Sequence, residues 1–159
     1  MIKKLFRITF FWVVFVMIGQ VKAEDVKMGG WTLFFASHSA NHCIVFEDQE
    51  GDTGSYMLRY KVFEARGGQE GEEKGKFKTY HDEKGRLIVK LEAHRIVLGK
   101  FDGKGEKVKI EGNMFDQDGA AMWPGSAGGH PTLGDDVIDG VGFLLLKGKH
   151  TDPDKIDEE

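Results

Sequence analysis

The chain has 159 residues, 30% of them charged and 40% hydrophobic, with a formal net charge of −4. That balance argues against binding nucleic acid or an anionic membrane surface by bulk electrostatics. A single cysteine, Cys43, rules out an internal disulfide, so packing and hydrogen bonding must hold the fold.

Met1 to Ala23 reads as a secretory signal peptide. Lys3, Lys4 and Arg7 charge its start, Phe10 to Ile18 is its apolar run, and Val21-Lys22-Ala23 presents the residues a signal peptidase reads. The uncharged stretch from Ile8 to Val21 is 14 residues long, short of the about 20 that a spanning helix needs. Cleavage before Glu24 is therefore expected, with no stable membrane span after processing and a mature protein in the periplasm or the extracellular space. The mature chain of 136 residues holds 18 basic and 26 acidic side chains, a net charge of −8, because the leader takes four positive charges with it.

Residues 24–150 read as one all-β domain, since period-two alternation recurs between short glycine turns and helical periodicity is hard to find. Trp31, Leu33 and Phe35 share one face of a first strand. His42 to Phe46 is a second apolar run, in which Cys43 reads as a small buried hydrophobe. After a turn at Gly51–Gly54, Tyr56, Leu58, Tyr60 and Val62 share a face opposite Arg59 and Lys61. Ala65 to Lys76, rich in Gly, Glu and Lys, is expected to be an exposed loop. Phe77–His81 and Leu87–Leu91 flank a turn at Asp82–Arg86, a bend follows near Ala93-His94, and Ile96–Leu98 continues the pattern. Val108, Ile110, Gly112 and Met114 alternate with Lys107, Lys109, Glu111 and Asn113.

The pattern then stops for 24 residues, Asp116 to Asp139. It resumes at Val141–Leu146, apolar on both faces and so expected to be covered on both sides. Thr151 to Glu159 carries five acids and one base and is expected to be an acidic disordered tail. Seven or eight antiparallel strands predict a single barrel or sandwich, and the run of sequential hairpins favours the barrel. Gly29-Gly30-Trp31 resembles the short Gly-x-Trp signature at the first strand of lipocalins, which implies an exported eight-stranded ligand-binding barrel. The resemblance covers three residues, and no arginine after Arg95 is available to cover the tryptophan, so it assigns no family.

A patternless stretch of this length inside a compact domain is often a binding loop. Trp123, His130 and Asp135 are its candidate ligand-binding residues, with Trp123 as an apolar platform and the others as hydrogen-bonding groups. The competing reading makes Trp123 a plug for the core. His38 and His42, four apart, with His130 as a third, are the ligands of an alternative, metal-assisted hydrolase, although a strand connection does not place two such rings on one side. Asp116-Gln117-Asp118-Gly119 opens like a calcium loop, but Ala127 stands where the closing glutamate belongs. Ser37, Ser39, Ser55 and Ser126 lie in no nucleophile elbow. Glu92 and His94 are placed on the outward face of one strand as a local pair. The expectation is a non-catalytic binding module without a cofactor, taking a small molecule, a glycan or an exported protein. A structural or envelope-assembly role is the remaining alternative.

Overall fold

The computed structural model describes residues 26–37, 39–116, 121–123 and 142–158; the signal peptide expected over residues 1–23 lies outside them. The strands are β1 (Trp31–Ala36), β2 (Ala40–Glu50), β3 (Thr53–Val62), β4 (Glu70–His81), β5 (Leu87–Lys90), β6 (His94–Leu98), β7 (Lys107–Asp116), β8 (Ala121–Trp123) and β9 (Gly142–Lys147). Neighbours follow chain order from β1 to β7. β9 then pairs with both β7 and β1, which closes an eight-stranded antiparallel barrel, and β8 is added beside the far half of β7. The sequential hairpins thus form a barrel and not a sandwich.

Strand alternation builds the interior. Leu33, Phe35, Ile44, Phe46, Leu58, Phe77, Leu87, Val89, Ile96, Leu98, Met114, Phe143 and Leu145 all point inward into one buried cluster. Each such side chain contributes about 1.5–3 kcal/mol on burial. The aromatics interlock edge to face, as with Phe46 and Phe77 at 5.0 Å and Phe35 and Phe143 at 5.6 Å. Met28, Trp31 and Phe101 close the end at which β1 starts, with Trp31 edge-on to Phe101 at 5.2 Å. Gly112 marks where β7 changes partner, since residues up to Glu111 pair with β9 and those from Gly112 pair with β6. A Cβ there would lie 2.4 Å from the Val97 carbonyl oxygen and 2.6 Å from the Phe143 ring, so only glycine fits.

Three expectations change. Within the segment expected to be a loop, Ala65–Lys76, a 3-10 turn at Glu64–Arg66 leads into β4 from Glu70. This part of β4 has almost no apolar side chain to signal it. It is held by pairing with β3, in which Tyr60 covers Gly71 and Tyr56 covers Gly75. The Asp116–Asp139 stretch contains a short strand, β8, which ends at Trp123. Residues Pro153–Glu158, expected to be disordered, form a 3-10 helix clasped to the outer wall. Asn41 donates to Asp154 and Asp157 at 3.1 and 2.9 Å, Lys61 bonds Asp154, and Arg59 donates to the Thr151 carbonyl at 2.8 Å. Ile156 packs against Phe34, Cys43, Leu144 and Leu146, the outward side chains of β1, β2 and β9. The two-sided apolarity of β9 is explained, since Phe143 and Leu145 face the core and Leu144 and Leu146 face the clasp.

A groove on the outer wall as the candidate functional site

The β2–β3 hairpin carries an irregularity that shapes the wall. Register slips between Glu47 and Glu50, and Asp48 adopts a left-handed backbone with φ of 49°. Aspartate tolerates this region better than most residues, and bulges of this kind re-aim side chains. Gln49 turns to the barrel end, accepting from the Gly29 N–H at 2.8 Å, while Asp48 stays exposed and accepts from the Ser55 hydroxyl at 3.2 Å. Beside it, Gly54 lies against Phe77, where a Cβ would come within 2.5 Å of the ring.

The result is a groove of about 720 Å³ running from the bulge across β3 and β4 to β5. Asp48, Glu50 and Glu92 supply carboxylates to its lining, Lys76, Lys78 and Lys90 supply ammonium groups, and Phe77 and Leu91 supply apolar surface. Lys78 stands opposite Lys90, and Lys90 opposite Arg95, so three cations lie abreast across β4, β5 and β6. Like charges in that arrangement repel, which a bound anion would relieve. Lys78 reaches Asp52 at 3.4 Å, whereas among the described residues no carboxylate pairs with the ammonium of Lys76 or Lys90. Arg95 lies over the Phe115 ring at 4.9 Å.

The groove lies beside a seam. β5 pairs with β4 only from Lys78 to His81, so β4 runs on from Phe77 to Glu70 with, among the described residues, β3 alone beside it. Side chains close the gap at its upper end. The Lys76 N–H donates to Glu92 Oε1 at 3.3 Å, and the buried Tyr56 hydroxyl donates to Glu73 Oε1 at 2.5 Å. Burial, then the bond to Glu73, drive the Tyr56 phenol well above its ordinary pKa, so it stays a donor.

The residues singled out in the sequence are scattered. Trp123 ends β8, its backbone opposite Met114; His130, Asp135, Ser126 and His38 lie outside the described residues. Of the three histidines in the metal alternative, the described residues include His42 alone. Its ring is buried and stacked on Phe35 at 4.6 Å with a 5° interplanar angle, and desolvation lowers its pKa to about 4. Among the described residues no three His, Cys, Asp or Glu side chains come together as a metal site. Glu92 and His94 are not on one strand, because Glu92 lies in the bend between β5 and β6 and His94 opens β6. The groove lysines had one signal in the sequence: a hairpin centred on Asp82–Arg86 sets Lys78 against Lys90.

Comparison with protein-family models, curated proteins and solved structures finds no significant match to this chain. Among the described residues, no helix is long and apolar enough to cross a membrane.

Proposed function

We propose that the protein is exported and acts as a non-catalytic binding module whose site is the outer-wall groove, and that its ligand is an acidic glycan. The carrying observation is the opposed pair Lys78 and Lys90, joined by Lys76, in a groove that also presents Asp48, Glu50 and Glu92, with Arg95 opposite Lys90 on the next strand. An acidic sugar chain offers both complements: its carboxylate or sulfate groups meet the ammonium groups, and its hydroxyls donate to the carboxylates. The inside of the barrel is occupied by its own aromatic and aliphatic side chains, which moves recognition to the surface. A ligand of this kind binds through exposed charges, so added salt weakens it. Trp123, His130 and Asp135 remain candidates for a second contact surface on the connection between β7 and β9.

The test is calorimetric titration of the processed protein with acidic oligosaccharides and their neutral counterparts. Binding confined to the acidic series, weakened at least tenfold by Lys78→Glu with Lys90→Glu and by raising salt, supports the reading. Equal binding of neutral sugars, or none of either series, removes it. Recovery of the processed chain outside the cytoplasm, beginning at Glu24, tests the export half.

A further inference from the structure

The free edge of β4 has a property that neither the groove nor the barrel requires. The N–H of Thr79 donates to Asp52 and the carbonyl of Gln69 accepts from Val62, so the odd-numbered residues of this strand address β3. The even-numbered ones address the other side, as the Lys76 bond to Glu92 shows. Beyond the reach of β5, the N–H and C=O groups of Glu70, Glu72 and Lys74 therefore face outward from the sheet with no ladder partner among the described residues. Edges like this invite another strand unless something blocks them.

Charged side chains usually do the blocking, and here all four outward ones are charged. Their order is unusual: Glu70, Glu72, Lys74 and Lys76, two acids followed by two bases, all exposed. An antiparallel strand of the same sequence, related by a two-fold axis at Glu73, sets Glu70 against Lys76 and Glu72 against Lys74. By symmetry each pair occurs twice. The same register aligns even residues with even residues, so the outward N–H and C=O groups meet as hydrogen-bonded pairs. Shifting the partner by two residues would set Glu72 against Glu72 or Lys74 against Lys74. On the concave face Gly71 meets Gly75, neither with a side chain to obstruct approach, and the two Glu73 carboxylates that meet on the axis, the one like-charge pair of this register, are each held by the Tyr56 hydroxyl of their own copy.

We propose that a second copy of this chain pairs along β4, making a two-fold dimer in which two barrels share one continuous sheet. This is an isologous contact, the same patch on both subunits, and its charge order complements itself. Glu72 already reaches Lys74 at 2.9 Å and Arg59 at 3.6 Å within one copy, so pairing exchanges an exposed contact for an equivalent one across the interface. Only the Lys76 N–H must leave its partner, the Glu92 carboxylate.

The experiment is a charge exchange read by light scattering and sedimentation of the processed protein. The unaltered chain is expected to dimerise. E70K/E72K gives an all-basic edge and K74E/K76E an all-acidic one, so each alone should be monomeric, with self-association weakened at least tenfold. An equimolar mixture of the two variants should restore a heterodimer. Lys74→Pro should also yield a monomer with an unchanged far-ultraviolet spectrum, because it deletes an N–H that β3 does not use. A monomeric unaltered chain at high protein concentration overturns the proposal. So does a dimer that survives both charge variants, or a mixture that stays monomeric while both variants remain folded.

Discussion

His42 illustrates how one buried residue ties stability to acidity. Its ring is stacked on Phe35 inside the barrel, and desolvation outweighs the backbone acceptors that favour the protonated form, so the folded pKa falls to about 4. The unfolded chain, with a histidine near 6.5, binds the proton first. Stability contributed by the neutral ring is fully present above pH about 6.5, and it is lost as pH falls through that value towards about 4. The cost reaches up to about 3 kcal/mol at the acid end. Denaturant unfolding from pH 7 to pH 4 should show this decline, and His42→Gln should flatten it. A variant with the same slope as the parent would place the titration elsewhere. His42 also shows what a sequence withholds at this scale. Two histidines four apart suggest a ligand pair, and only the strand register shows that His42 of β2 lies beside Phe35 of β1.

At the scale of elements, the C-terminal clasp carries the clearest prediction. Helix Pro153–Glu158 covers Phe34, Leu144 and Leu146 and seals Cys43, whose thiol burial raises to about 11. Ending the chain after His150 removes Ile156, the acceptors of Asn41, the partner of Lys61 and one of the two partners of Arg59. Loss of several kcal/mol is expected, since it bares apolar side chains and leaves the buried Asn41 amide unbonded. The shortened protein should unfold at lower denaturant. Its Cys43 should react with a thiol reagent under native conditions that leave the full chain unmodified. Equal reactivity in both would mean that the clasp does not shield the sulfur. Most strands were legible because alternation of apolar and polar residues is a property of single strands: Tyr56–Val62 and Val108–Met114 announce themselves. β4 before Phe77 was not, because its inward positions are Gly71, Glu73 and Gly75, and the apolar cover comes from tyrosines of β3. The clasp was hidden for a similar reason. Five acids in the C-terminal segment suggest solvation, yet two of them, Asp154 and Asp157, are acceptors for Asn41.

For the whole molecule, an all-β barrel or sandwich was legible from the chain order of hairpins and the double-sided β9, with closure only favoured over the sandwich, while the groove was not legible. The groove needs a bulge at Asp48, a gap beside β4 before Lys78 and lysines drawn from β4 and β5, and no single stretch of sequence contains these together. Closure has a further consequence. β1 pairs with β9 from Trp31, opposite Lys147, to Phe34, opposite Leu144. The first wall of the cylinder therefore has no second neighbour until the last strand arrives, and pairings this distant in sequence form late and slowly. A nascent chain stays a string of hairpins until its final segment is free. Until then the seam between β1 and β7 stands open, and the cylinder locks only when β9 fills it.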